Sequence, residues 1–556
     1  MSSFLSKEHI TADASFNRWL VPPAALAVHL SIGMAYGFSV FWKPLGNALL
    51  DGDGKPVAAC AAGASTFAEK LSGTGKALFA TDCNWTQFDL GWMYTLFFVL
   101  LGCSAALWGG WLERAGPRKA GLVSTVCWCG GLLLSAYGVY SHQLWLMWLG
   151  SGVIGGIGLG LGYISPVSTL IKWFPDRRGM ATGMAIMGFG GGAMIGSPLA
   201  TKLMGYFATA TNPGVWQTFV ALAIIYAFFM VLGSLGYRVP ATGWKPANWT
   251  PPAPSNNTMI ATRHVHLNKA HKTPQFWLLW IVLCMNVSAG IGIIGAAAPM
   301  LQETFGGALI GQQDLGFAEI RKDEALTAAA AAVGAGFVGI ISLFNIFGRF
   351  AWATSSDALG RKRTYYIFFI LGAVMYCVAT YMAGHKSLAL FVAAFCIIAS
   401  MYGGGFATIP AYLADMFGTQ FVGAIHGRLL TAWSTAGIVG PVIVNSMHDI
   451  RLEAKVPFDQ IYAPIFMVLA GLLVVGFVAN FLVRPVADKY FMTDAELAEE
   501  RKVSHEKFAQ TQANMPAHKA TATQSSWVVK LAWLAVLLPI SYGVWMTVQK
   551  AWILFS

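Results

Sequence analysis

Apolar runs of about 20 or more residues, separated by polar connections, recur along the whole 556-residue chain. About 20 residues of helix cross the hydrocarbon core of a bilayer. The runs fall at about 19–41, 88–111, 119–140, 144–166, 179–206 and 216–238. After a polar stretch they resume at about 275–300, 328–353, 363–384, 388–413, 426–448 and 460–483, and a thirteenth follows at about 527–548. The pattern predicts an all-α polytopic membrane protein of two six-helix bundles plus an extra C-terminal helix. The predicted divisions are a polar N-terminus (1–18), a first bundle (19–238) with a long outer loop (45–86), a linker (239–274), a second bundle (275–483), a polar tail (484–526) and the extra helix (527–548).

The two bundles repeat in sequence. Gly110-Trp-Leu-Glu113-Arg114-Ala-Gly116-Pro-Arg118-Lys119 follows the second span, and Thr354-Ser-Ser-Asp357-Ala-Leu-Gly360-Arg361-Lys362-Arg363 follows the eighth. Acid aligns with acid and glycine with glycine at one offset (357 − 113 = 360 − 116 = 244). Gly179-Met-Ala-Thr-Gly183 and Gly423-Ala-Ile-His-Gly427, in the fifth and eleventh spans, stand at the same offset (423 − 179 = 244). A parallel duplication of six-helix units is a transporter pattern in which substrate binds midway between the halves.

Composition supports this picture. The chain is 56% hydrophobic and 11% charged, against about 25% charged in soluble proteins. The formal net charge of +11 resides mainly in short connections, as the positive-inside rule expects, so the partner it implies is a bilayer and not a nucleic acid. The connections after even-numbered spans carry Arg114, Arg118, Lys119, Lys172, Arg177, Arg178, Arg361, Lys362 and Arg363. Both the N-terminus and the segment after the twelfth span are therefore expected in the cytoplasm, and the C-terminus outside if the thirteenth helix spans. Met1 to Arg18 is too polar for a cleaved signal peptide. Eight cysteines form no CxxC pair, which removes support for a metal site. Cys60 and Cys83 share the outer loop and are either a disulfide or two free thiols. The proline-rich linker reads as a tether. The tail opens like a helix at Thr493 and then becomes Ala-, Gln- and Lys-rich and is expected to be disordered.

The two basic turns resemble the signature loop of the major facilitator superfamily, Gly-x-x-x-Asp-Arg-x-Gly-Arg-Arg/Lys. The first copy has Glu113 for Asp and Pro117 for Arg; the second keeps Asp357 but follows it with Ala358. The resemblance implies a conformational latch made of Glu113, Arg114, Gly116, Asp357, Gly360, Arg361 and Arg363, pairing in one state and separating in another. The bland alternative is that these charges only set topology.

Within that superfamily the chain resembles the oxalate:formate antiporter family. The likeness rests on Ala35-Tyr-Gly-Phe-Ser-Val-Phe-Trp-Lys-Pro-Leu45, Gly158-Leu-Gly-Leu-Gly-Tyr163-Ile-Ser-Pro166 and Lys172-Trp-Phe-Pro-Asp-Arg-Arg-Gly-Met-Ala-Thr-Gly183. Asn345-Ile-Phe-Gly-Arg349 and Tyr402-Gly-Gly-Gly-Phe406 through Asp415 complete it. The resemblance implies a small dicarboxylate held between two cations, an Arg in helix eight and a Lys in helix eleven, inside an aromatic cage. Arg349 stands at the Arg position, and Asn345, one turn earlier, is placed to orient it. The competing reading is that Arg349 snorkels to the cytoplasmic surface. The Lys position is occupied by Trp433. One fixed cation favours a monocarboxylate, or a dicarboxylate accompanied by a proton or cation; Arg428 is the other candidate donor. Tyr36, Tyr163, Tyr402, Phe406 and Trp433 are the expected cage, with ordinary packing as the alternative for each.

His29, mid-span, is either a proton carrier or a hydrogen-bonded structural residue. Gly188-Phe-Gly-Gly-Gly-Ala-Met-Ile-Gly-Ser-Pro198 suits close helix packing and a bend at the proline. Gly73-Thr-Gly-Lys76 lacks the first glycine and the final Ser or Thr of a phosphate loop, and nothing else suggests a nucleotide, metal or other cofactor. The thirteenth span resembles a single-span companion polypeptide fused to the core. The sequence thus predicts a non-enzymatic secondary transporter of small carboxylates in a bacterial inner membrane, working by alternating access. Exchange of oxalate- or formate-type anions is the leading mode and proton-coupled monocarboxylate symport the alternative; a carboxylate sensor or an exporter of another substrate class are more distant readings.

Overall fold

The computed structural model describes residues 8–12, 16–52, 55–60, 62–63, 67–209, 211–241, 244–246, 249, 259–500 and 526–552. The prolines at 251, 252 and 254 of the linker and the tail from 501 to 525 lie outside them. Among the described residues, thirteen helices are long and apolar enough to cross a membrane. They are α1 (Arg18–Gly46), α2 (Gln87–Ala115), α3 (Pro117–Tyr140), α4 (Leu144–Trp173), α5 (Arg178–Phe207), α6 (Val215–Gly236), α7 (Pro274–Ile310), α8 (Ala325–Leu359), α9 (Arg361–Gly384), α10 (Leu388–Phe417), α11 (Val422–Glu453), α12 (Phe458–Leu482) and α13 (Trp527–Gln549). β-Structure among the described residues is limited to isolated bridges.

Local chemistry sets the helix ends. The Thr86 hydroxyl accepts from Asp89 N–H (3.2 Å) while the Asp89 carboxylate accepts from Thr86 N–H (2.8 Å), a reciprocal cap at the start of α2. Asp323 accepts from the amides of Ala325 and Leu326 at the start of α8. Gly116 (φ 87°) and Gly360 (φ 84°) break α2 from α3 and α8 from α9. Any side chain there would be forced into a disfavoured backbone region, which explains the glycine kept in both copies of the basic turn.

Several helices outrun the apolar windows. α8 continues past 353 to Leu359 and so carries Asp357 on its last turn, and α4 continues past 166 to Trp173, bringing Ser168 and Lys172 to the basic-turn face. The outer loop contains a helix, Phe67–Ala77, in which the Gly73–Lys76 stretch lies; it is a helical segment and not a phosphate-type loop. Pro198 sits inside a helix that continues to Phe207. The tail opens with a helix at 494–500, capped reciprocally by Thr493 and Glu496.

The halves meet along α5 against α8 and α10, and along α2 and α4 against α11. Small residues permit close approach. A Cβ on Gly183 of α5 would come 2.9 Å from the Arg349 carbonyl oxygen of α8. The equivalent Gly427 of α11 abuts the Ala105 carbonyl of α2 (427 − 183 = 349 − 105 = 244). Without a hydrophobic drive between helices in lipid, such contacts are what hold the two bundles together.

Candidate functional site

Arg349 lies at the centre of the α5–α8 contact with no exposed surface, so it does not snorkel. Its Nε donates to Asn345 Oδ1 (3.1 Å), one helical turn away, and Nη1 donates to the Ile186 carbonyl of the opposite half (3.4 Å). Nη2 is buried and makes no hydrogen bond of good geometry, with the Tyr36 hydroxyl within reach of the guanidinium. No carboxylate pairs with this guanidinium among the described residues. A buried charge without a counter-ion is costly, and the open Nη2 is a donor waiting for an anion.

Aromatic rings enclose this donor. The Arg349 Cζ lies 5.4 Å from the Phe406 ring centroid and 6.0 Å from that of Tyr36. Trp433 is the hub. Its ring stands 4.5 Å from Phe406, 5.3 Å from Tyr163, 5.5 Å from Phe98, 5.5 Å from Phe189 and 6.2 Å from Tyr36. Tyr402 joins through Phe406 at 5.2 Å. The hydroxyls of Tyr36, Tyr163 and Tyr402 and the indole Nε1 of Trp433 are buried without a hydrogen bond of good geometry. The open groups are donors, or can act as donors, which is the arrangement an anion rich in acceptors would satisfy. Dry aromatic walls also strengthen the pull of Arg349 on such an anion.

The structure therefore brings together Arg349, Asn345, Tyr36, Tyr163, Tyr402, Phe406 and Trp433. Sequence reasoning missed Phe98 and Phe189. Phe189 had a signal, since it stands in the repeat where Trp433 stands (433 − 189 = 244); Phe98 had none. Arg428 is turned away from the cage and donates to the Leu267 carbonyl (2.7 Å), with His271 Nδ1 at 2.8 Å. It supplies no second cation to the site.

His29 is fully buried, with Nδ1 2.5 Å from the Ala185 carbonyl oxygen and Nε2 3.1 Å from that of Tyr163. A neutral imidazole carries a single N–H, so only the protonated ring satisfies both carbonyls.

On the basic-turn face, Asp357 accepts from the amides of Gly179 (2.8 Å) and Met180 (3.0 Å) at the start of α5. Arg361 binds Asp357 (2.6 Å) and Asp415 (3.1 Å), and Asp415 also receives Arg178 of the opposite half (3.0 Å). In the other copy Glu113 binds Lys172 (2.5 Å) and Ser168 (2.9 Å) and lies against Gly423 at the start of α11. The acids thus face the helix starts of opposite halves. Arg114 and Arg363 are exposed and form no ion pair among the described residues, while Arg178, Asp415, Lys172 and Ser168 are participants that the signature did not name. In the outer loop Cys60 and Cys83 are bonded, with Cα atoms 5.0 Å apart.

Two pseudo-equivalent bundles with a charged, dehydrated cage between them define a polytopic transporter. Comparison with known proteins agrees. The Major Facilitator Superfamily model matches residues 58–441 and 287–554, and the chain belongs to that superfamily. It is similar to the oxalate:formate antiporter of Oxalobacter formigenes, 25% identical over 334 residues, covering 60% of this chain and 66% of the relative. It is 24% identical to the MFS-type transporter YhjX of Escherichia coli, over 63% of this chain and 77% of that one. Identity to the apicoplast pyruvate carrier 1 of Toxoplasma gondii is 24%, over 61% and 66%. Among solved structures, the E. coli fucose:proton symporter FucP superposes with a TM-score of 0.54 at 12% identity, over 84% of this chain and 100% of FucP, and the proton:xylose symporter XylE with 0.55 at 14%, over 84% and 95%. Family and fold are those of transporters and not of enzymes.

Proposed function

We propose that this transporter carries small carboxylates across a bacterial inner membrane by alternating access, with Arg349 as the anchoring cation. The observation that carries this reading is the buried Nη2 of Arg349, without a hydrogen bond of good geometry, within a ring of aromatic groups whose open polar atoms can donate. A guanidinium meets a carboxylate through two parallel hydrogen bonds. Relatives that carry oxalate, formate or pyruvate support the substrate class. A single fixed cation favours monoanions such as formate, and exchange of one anion for another is the leading mode. The N-terminus and the basic turns face the cytoplasm in this reading, because positive loops are retained there. The contacts of Asp357, Arg361, Asp415 and Arg178 then form the cytoplasmic latch.

The test is uptake of labelled formate, acetate, lactate, pyruvate and oxalate into proteoliposomes, preloaded or empty, with and without a pH gradient. Uptake into preloaded vesicles only, lost in Arg349→Gln, is the expected result. Uptake into empty vesicles driven by a pH gradient would establish proton symport, the reading that His29 between two carbonyls favours. Absence of carboxylate uptake would overturn the substrate assignment.

A further inference from the structure

His426, in the second copy of the repeat, stands where the first copy has Thr182 (426 − 182 = 244). It belongs to α11, and it is buried with both ring nitrogens unpartnered. Its ring lies 6.0 Å from that of Tyr163, on which His29 also stacks at 5.4 Å. The two imidazoles lie within electrostatic reach of each other, and His29 lies within reach of Arg349. They come from opposite halves, α1 and α11, and flank the cage through Tyr163.

We infer that His29 and His426 act as one titratable cation, replacing the fixed second cation that Trp433 displaces, and so set the choice between mono- and dicarboxylates. This rests on the carboxylate reading above and adds what decides the charge of the anion carried. Each buried imidazole disfavours a charge on the other, so the pair takes up one proton before a second. Protonated His29 has a carbonyl acceptor for each of its two N–H groups, and His426, beside Tyr163, has both ring nitrogens open.

The ionisable groups around the pair leave this role to the anion. Arg349 from α8 opposes a second positive charge. Tyr36, Tyr163, Tyr226 and Tyr402, from α1, α4, α6 and α10, are neutral phenols. Glu113 of α2 is held by Lys172 of α4, and Asp415 of α10 by Arg178 and Arg361. Among the described residues no carboxylate pairs with either imidazole, so the second carboxylate of a dianion supplies the counter-charge. Binding a dianion draws one proton from the loading aqueous face onto the pair, and that proton returns to water when the anion leaves. Monoanions need only Arg349.

The test is counterflow of labelled formate and labelled oxalate in proteoliposomes of the full chain, loaded with the same anion at equal pH on both faces. The pH runs between about 8 and about 5, where an imidazole changes charge. In the wild type, the ratio of the oxalate KM to the formate KM should fall at least about tenfold on acidification. In His426→Gln and in His29→Gln the ratio should stay at its high-pH value throughout. Adding Trp433→Lys to His426→Gln should restore a low ratio that no longer depends on pH; a folding defect cannot produce that rescue. A ratio that follows pH as in the wild type in both variants, or in His426→Gln alone, overturns the inference, as does a flat wild-type ratio. Formate counterflow that survives Arg349→Gln would instead overturn the anchoring role of Arg349 and leave the histidine profiles to be judged by themselves. If the wild type moves neither anion, both readings fall.

Discussion

Phe189 and Trp433 meet edge to face across the two halves, with ring centroids 5.5 Å apart and planes at 81°. They occupy the same position in the internal repeat, one on α5 and one on α11. The cage is thus closed by a pair of equivalent residues, and rocking one half against the other must separate them. A T-shaped aromatic pair contributes roughly 0.5–1.5 kcal/mol beyond its buried area. Phe189→Ala and Trp433→Ala should each weaken carboxylate affinity. The double variant should fall short of additivity by about that energy, read from KM in counterflow as a double-mutant cycle.

Asn345 gives a sharper test of the charge at the site. Its Oδ1 accepts from Arg349 Nε, so it fixes the plane of the guanidinium without neutralising it. Asn345→Ala should raise KM several-fold while keeping transport. Asn345→Asp places a carboxylate in the same spot, pairs it with Arg349 and competes with the anion. Truncating one partner of a buried charge pair costs about 2–5 kcal/mol, and the internal carboxylate should abolish counterflow as fully as Arg349→Gln does. An Asn345→Asp protein that transports like Asn345→Ala would show that Arg349 does not bind the anion.

The latch predicts a conformational bias. Asp415 receives Arg178 from the first half and Arg361 from its own. Hydrogen bonds to charged groups contribute about 1.5–3 kcal/mol each. Asp415→Asn should therefore shift the population toward the state open on the basic-turn face. A cysteine introduced at Ser168, beneath Glu113, should label several-fold faster with a membrane-impermeant maleimide applied to that face. Unchanged labelling would show that the latch is not limiting.

How much was legible follows from what each residue needed. The thirteen spans and their pairing were readable because crossing a bilayer demands about 20 apolar residues and the duplication kept one offset. Asp357, Gly360 and Arg361 were readable because a turn with positive φ needs glycine and an acid at a helix end needs a donor. Phe98 was not, since an aromatic facing a cage and one facing lipid look alike in a chain that is 13% aromatic. Asp415 and Arg178 were hidden for a different reason: their pairing joins residues 237 apart in sequence, through a contact that only the packed halves create.

The outer loop carries a pH-dependent contact. The His142 ring stacks on Trp85 with centroids 4.3 Å apart, and its Nε2 lies 2.9 Å from the Cys83 carbonyl oxygen, beside the Cys60–Cys83 bond. Burial pulls the His142 pKa below its ordinary value, although the carbonyl pulls the other way. The unfolded chain therefore binds more protons at His142, between α3 and α4, than the folded one, so the contribution of His142 is present above the ordinary histidine pKa of about 6.5. It weakens as pH falls from there toward the folded value. Thermal unfolding of the wild type should begin earlier below that pH, and His142→Gln should remove that part of the dependence. Cys60→Ser with Cys83→Ser should lower stability by about 3 kcal/mol if the bond acts by closing its loop.

The thirteenth helix touches both halves. Trp533 Nε1 donates to the Trp19 carbonyl of α1 (3.1 Å), and Tyr542 meets Lys202 of α5 (3.0 Å). Gly543 packs against Met194 and Ile195 of α5, and Thr547 lies against Gly339 of α8. α1 and α5 belong to one bundle and α8 to the other, so α13 straddles the seam along which the halves slide in the proposed cycle. A chain ending at Glu500 keeps every helix of the twelve-helix core and should still insert and fold. Freed of a helix packed against both sides of the seam, it should turn over faster, with KM within about twofold because no cage residue lies on α13. Initial rates of formate counterflow, normalised to protein in the vesicles, decide the matter. A slower or unchanged rate at equal KM would mean that α13 moves with one bundle and restrains neither.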